Sequence, residues 1–255
     1  MIHDTAIVSD KAILGNNINI GPFSIVEENV EIADNCEIGA YVTLASGTRL
    51  AEDVKVFNGA VLGTVPQDLK FSGEETTLEI GKRTVIREYA FINRGTKDKY
   101  KTVIGSDCFI MAFVHAAHDC FIGNECIIAN GAQIAGHCSI GERTILSGHV
   151  LVHQFTKIGS YCMIEGGDKI KRDVPHFSMI AGEPAKFSGL NRIGLQRRGF
   201  SKENIQNISD AYRIVYRNGL RAENAADEII KQFKGDDNIK MISDFIKASK
   251  RGIIR

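Results

Sequence analysis

Aliphatic residues return at every sixth position over the first two thirds of the chain. Stepping by six from Ile2 to Ile170, 25 of 29 positions hold Ile, Leu or Val, a density that ordinary composition does not concentrate in one phase. A period of six does not fit a helical face of 3.6 residues per turn, but it suits a short strand and a turn stacked on copies of themselves. Four residues after each aliphatic position stand mostly small residues, among them Ala6, Ala12, Ser24, Cys36, Thr48, Ala60, Cys108, Cys126, Ala132 and Cys138. Between the two inward positions lie turn formers such as Asn16-Asn17, Asp34-Asn35, Gly123-Asn124 and Gly136-His137. If three hexads close one triangular coil, residues 3 × 6 = 18 apart stack one strand spacing, about 4.8 Å, from each other. The pattern predicts an all-β solenoid.

Two stretches, 68–79 and 98–103, carry polar residues where an aliphatic is due, yet the phase resumes unshifted after each. They read as loops extruded from the prism, the first presenting Asp68 and Lys70 directly after Pro66. Extruded loops on a rigid scaffold often carry function. After Asp173-Val174-Pro175 a helical rhythm takes over. Ser201 can cap a helix with Ile205, Ile208, Tyr212 and Val215 on one face. Ala226, Ile229, Ile230 and Phe233 form a second apolar stripe, and Ile242, Phe245 and Ile246 a third. The predicted division is a solenoid over 1–186 and a helical cap over 187–255, closing an otherwise open end.

Formal charge is zero, which argues against a nucleic-acid partner, but it is unevenly spread. From Phe187 onward there are 14 Lys or Arg against 8 Asp or Glu. That basic end suits an acidic protein or an anionic ligand. The repeat starts at Ile2, leaving no room for a signal peptide, and no apolar run approaches a membrane span, so a cytoplasmic location is expected. All six cysteines occupy the small inward position and are read as compact fillers rather than disulfides or metal ligands.

Five of the seven histidines, His115, His118, His137, His149 and His153, fall within 39 residues, around the one hexad of the second half in which alanine, Ala116, replaces the aliphatic. The coil arithmetic sharpens the cluster. His118 plus 18 is Gly136, and Asp119 plus 18 is His137. An imidazole therefore lies beside a backbone without a side chain, and a carboxylate beside a second imidazole. A neutral imidazole can take a proton from an attacking hydroxyl. An N–H next to glycine can approach an oxyanion, and the carboxylate can orient the base. These are parts that an acyl transfer needs.

The string His115-Ala116-Ala117-His118-Asp119-Cys120, then Ala135-Gly136-His137, His153-Gln154-Phe155, and Asn191 followed by Gly194-Leu195-Gln196-Arg197-Arg198-Gly199-Phe200 closely resembles the acyl-carrier-protein:UDP-N-acetylglucosamine O-acyltransferase family, whose reaction begins lipid A synthesis. The loop Gln67-Asp68-Leu69-Lys70 and the terminal Arg251-Gly252-Ile253-Ile254-Arg255 match as well. The resemblance implies a left-handed parallel β-helix, a handedness that the period alone does not dictate. It implies a homotrimer with sites between prisms and neither cofactor nor metal. Its substrates would be acyl carrier protein bearing a 3-hydroxyacyl thioester and UDP-N-acetylglucosamine. By position, His118, on an outward turn, would be the general base on the sugar 3-hydroxyl, Asp119 its partner and the Gly136 N–H the oxyanion donor; Asp68, Lys70, His115, His137 and Gln154 would line the sugar and acyl site, Asn191 and Arg198 would hold the diphosphate beside Arg197, and Gly166 would set acyl length. The alternative for Gly166 is a turn position at positive φ. His149 lies outside the motif and is read as structural. Ile193 stands where many relatives carry an acid, which leaves an acceptor sugar with a 3-amino group open. A trimeric zinc enzyme, a non-catalytic scaffold and an acetyl-coenzyme A transferase are the competing readings.

Overall fold

The computed structural model describes all 255 residues. Strands of mostly two residues, each joined to the next by a turn, wind into a three-faced prism with a left-handed parallel β-helical course. Face one begins at Ile7–Val8 and has nine strands, face two begins at Ile13–Leu14 and has eight, and face three begins at Asn19–Ile20 and has ten. Residues 18 apart pair as the period predicts, Ile7 with Ile25 and His115 with Gln133.

The inward aliphatics form one continuous core, and the small inward residues have a second use. Their side chains donate to a corner carbonyl 15 residues on: Ser24 Oγ to Gly39 O at 2.7 Å, Thr144 Oγ1 to Gly159 O at 2.8 Å, and Cys120 Sγ to Ala135 O at 3.2 Å. A buried carbonyl without a donor is costly, so where this position holds Ser, Thr or Cys the side chain supplies one, whereas alanine there only fills space. All six cysteines are buried and unbridged. Many corners hold one residue at left-handed φ, including Asn17, Asn35, Asp119 and His137, which a non-glycine residue adopts at a cost of roughly 1–2 kcal/mol.

The two extruded loops differ in extent from the sequence expectation. Strands resume at Thr77–Ile80 and Lys101–Ile104, so the loops occupy 65–76 and 94–100. Leu78 and Thr102, at the small inward position, are fully buried and re-enter the core two residues before the aliphatic does. Across the first loop Val61 pairs with Phe91, an offset of 91 − 61 = 30, and across the second Phe91 pairs with His115, an offset of 24. The insertions are thus 12 and 6 residues over a coil of 18, whole hexads, which is why the phase survives.

The expected division at 186/187 falls inside a strand. Lys186–Leu190 returns antiparallel on Ser178–Ala181 and ends face three as a hairpin. Helices follow at Arg192–Arg197 (α1), Lys202–Arg217 (α2), Ala222–Gln232 (α3) and Asp237–Ala248 (α4). Ser201 Oγ accepts from Asn204 N at 3.0 Å and caps α2, which buries Ile205, Ile208, Tyr212 and Val215. The C-terminal tail returns to the solenoid, where Ile254 N donates to Asp173 O at 2.8 Å and the Ile254 side chain joins the prism core. No helix is long and apolar enough to cross a membrane.

Candidate active site

Both loops leave the prism at the corner between faces one and two, and the same corner carries His118-Asp119, Gly136-His137 and His153-Gln154-Phe155. His118 is on an outward turn, as expected, but it is not open to solvent: only 6% of its surface is exposed. Its Nδ1 lies 2.8 Å from Asp119 Oδ2, and Asp68 Oδ2 on the first loop lies 3.9 Å from its Nε2. The Asp119 carboxylate is fully buried. Its Oδ1 accepts from Thr96 N at 3.0 Å and Lys99 N at 3.2 Å, and its Oδ2 also accepts from Thr96 Oγ1 at 2.7 Å. Burial opposes its ionisation, but hydrogen bonds from His118 and Thr96 and the nearby His137 outweigh this and hold the carboxyl below the usual carboxylate range. With Asp119 as acceptor, His118 Nδ1 carries the proton and Nε2 presents a lone pair.

His137 meets the His118 ring edge-on, centroids 4.9 Å apart, and stacks on Phe155 at 4.6 Å. Its Nε2 is 3.8 Å from Asp119 Oδ2, and its Nδ1 is 3.1 Å from Asp98 Oδ2 but off the line of a hydrogen bond. Burial lowers its pKa, as it does that of His115. His115 stacks on Phe91, and its Nδ1 is 2.9 Å from Phe91 O, which leaves Nε2 as acceptor.

An open cleft of about 670 Å³ is lined by Asp68, Lys70, His115, His118, Gly136 and Gln154 together with Gln133, Leu69 and Leu151. A Cβ built on Gly136 would come within 2.7 Å of the His118 ring, so glycine is required for the close approach. The Gly136 N–H donates to no protein group. Sequence reasoning missed Gln133, which stacks on His115 one coil away, and missed Thr96 and Lys99, which reach Asp119 from the second loop.

The remaining expected site residues lie at other corners. Arg198, at the end of α1, pairs with Glu125 at the corner between faces two and three. Arg143 shares that carboxylate at 2.8 Å, and Arg143 foremost and then Arg198 hold it below its ordinary range. Asn191 caps α1, accepting from Gly194 N at 3.1 Å and donating to Tyr161 O at 3.0 Å. Arg197 is exposed beside them. Gly166 lies at the corner between faces three and one, on a cavity of about 940 Å³ bordered by Gly167, Pro184, Ala185 and Ile254. The left-handed residue of that turn is Gly167, at φ +80°, and not Gly166. His149, at the same corner, packs its ring over Gly131, where a Cβ would meet it at 2.7 Å.

His118, Asp119 and His137 also offer a donor set of the kind a divalent cation takes. The Asp119 oxygens, however, already accept two donors each, which uses the lone pairs a metal would need.

A stacked hexapeptide prism with a buried histidine–aspartate pair beside an open glycine N–H defines a transferase of the hexapeptide class. The model of bacterial hexapeptide transferases matches residues 11–46, 101–136 and 119–154, and that of the second domain of UDP-N-acetylglucosamine O-acyltransferase matches 173–254. The chain is 40% identical over 255 residues to the acyl-[acyl-carrier-protein]–UDP-N-acetylglucosamine O-acyltransferase of Halorhodospira halophila, covering 100% of this chain and 99% of that one. It is 43% identical to the enzyme of that name from Chlorobaculum parvum, covering 98% and 96%. The crystal structure of the UDP-N-acetylglucosamine acyltransferase of Bacteroides fragilis superposes with a TM-score of 0.98 at 44% identity over the whole of both chains. The chain belongs to the acyl-[acyl-carrier-protein]–UDP-N-acetylglucosamine O-acyltransferase family.

Proposed function

We propose that the protein transfers an (R)-3-hydroxyacyl group from acyl carrier protein to the 3-hydroxyl of UDP-N-acetylglucosamine, the first step of lipid A synthesis. The observation that carries the reading is the buried Asp119–His118 pair facing a cleft beside the free Gly136 N–H. His118 Nε2 takes the proton of the sugar 3-hydroxyl as its oxygen attacks the thioester carbonyl. The Gly136 N–H receives the oxyanion, and Asp119 stabilises the imidazolium. As the tetrahedral intermediate collapses, the C–S bond breaks and the carrier's thiolate takes the proton from His118. Asp68, Lys70, His115, His137 and Gln154 position the reactants around this centre, Asn191, Arg197 and Arg198 bind the diphosphate, and Gly166 ends the acyl groove.

The assignment requires more than one chain. The base, the arginines and the glycine sit at three different corners of one prism, so no single cleft of the monomer contains them all. We infer a homotrimer in which the corner of one prism faces a different corner of its neighbour. Incubation with UDP-N-acetylglucosamine and acyl carrier proteins of several chain lengths, with mass analysis of the product, tests the reading. Absence of an ester product, or an amide formed only on a 3-amino sugar, would replace it.

A further inference from the structure

We infer that Thr96, on the second extruded loop, is a positioning residue for the acyl transfer: it decides which histidine Asp119 addresses. The inference rests on the reading of His118 as the base. A carboxylate turns easily about its last side-chain bond, and Asp119 Oδ2 has two imidazoles within reach, His118 Nδ1 at 2.8 Å and His137 Nε2 at 3.8 Å. Were Oδ2 to swing to His137, His118 would lose the acceptor that keeps its proton on Nδ1 and its Nε2 free. Thr96 grips both oxygens at once, its N–H on Oδ1 at 3.0 Å and its hydroxyl on Oδ2 at 2.7 Å. The hydroxyl's own direction is set, because it accepts from Asp98 N at 3.3 Å and so turns its hydrogen to Asp119. Lys99 N adds a third donor, to Oδ1. Thr96 is itself buried and lines no part of the cleft, so substrate binding has no direct need of it.

Thr96→Val keeps the shape of the side chain and removes the hydroxyl; Thr96→Ser keeps the hydroxyl and removes the methyl. Steady-state kinetics in both substrates should give a kcat for Thr96→Val lower by roughly ten- to a hundredfold, part of what a general base contributes. Both KM values should stay within about twofold, because a group that acts only through the base matters in the transition state. Thr96→Ser should recover kcat to within about threefold of the original enzyme. Thr96→Ala, which leaves space instead of a methyl, stands in should the valine variant fail to fold. A kcat unchanged in the variants lacking the hydroxyl overturns the inference, as does a serine variant as slow as they are. His118→Ala is measured alongside. If it is active, the reading of the base has failed; if it is inactive while Thr96→Val is unaffected, only the role of Thr96 has.

Discussion

Gly166→Met should shorten the preferred acyl chain by several carbons without unfolding the coil. Two explanations for this glycine predict opposite outcomes. A turn glycine at left-handed φ would make any side chain strained, but that conformation belongs to Gly167. A Cβ on Gly166 would meet only Gly148 O at 3.2 Å, with the next atoms at 3.9 Å. One tight contact to a neighbouring turn is relieved by a shift of a few tenths of an ångström, a cost of about 1 kcal/mol, at the low end for overpacking. The methionine side chain brings four heavy atoms and would fill space that about four terminal methylenes otherwise use. At about 0.8 kcal/mol per methylene, excluding four forfeits about 3 kcal/mol, or roughly two-hundredfold in relative kcat/KM between long and short chains. The assay is competition between carrier proteins loaded with 3-hydroxyacyl groups from ten to sixteen carbons, a span of roughly 5 kcal/mol of methylene burial, with products separated by mass. The original enzyme should favour the long end, near the roughly fourteen carbons that the family resemblance implies. An unchanged ranking in a variant that melts normally removes Gly166 from the acyl groove.

The other expectations are briefer. His118→Ala and His118→Asn should each lower turnover on the order of a hundredfold to ten-thousandfold with the oligomeric state unchanged by sedimentation; near-normal turnover refutes the base. Arg198→Ala should raise KM for the nucleotide sugar more than it lowers kcat, since a diphosphate contact far from the thioester serves ground and transition states alike; lost turnover with unchanged sugar binding would assign the arginine elsewhere. His176, packed between prism and cap against Phe177 and Phe245, accepts from Ser160 N at 2.8 Å, and burial pushes its pKa down to about 4. The unfolded chain takes that proton near pH 6.5, so stability is intact above 6.5, declines as pH falls and levels off below 4, a loss of about 3 kcal/mol. Urea unfolding of the original protein and of His176→Gln at pH 7 and 4.5 should differ in pH dependence by most of that amount; parallel slopes would count against it.

What the sequence disclosed and what it withheld divide along one physical line. Contacts made by stacking follow from the period, so the approach of Gly136 to His118 and of His137 to Asp119 could be counted out before any coordinates. Contacts made by the loops cannot be counted, because an inserted hexad preserves the phase while leaving its own path open. The second loop's grip on Asp119 through Thr96 and Lys99, the covering of His118 by Asp68, and the early re-entry at Leu78 and Thr102 all belong to this class. The cap adds a third kind of ambiguity. Asn191 and Arg198 match a family motif letter by letter, yet their visible partners are structural, a helix cap and Glu125. An arginine already paired with a carboxylate is held in place for a diphosphate only if the incoming anion outcompetes Glu125. Because Arg143 shares that carboxylate at 2.8 Å, Glu125 keeps one cation when Arg198 turns away. Release therefore leaves the half-exposed carboxylate still paired with Arg143, and the Arg198–Glu125 contact can open at little cost.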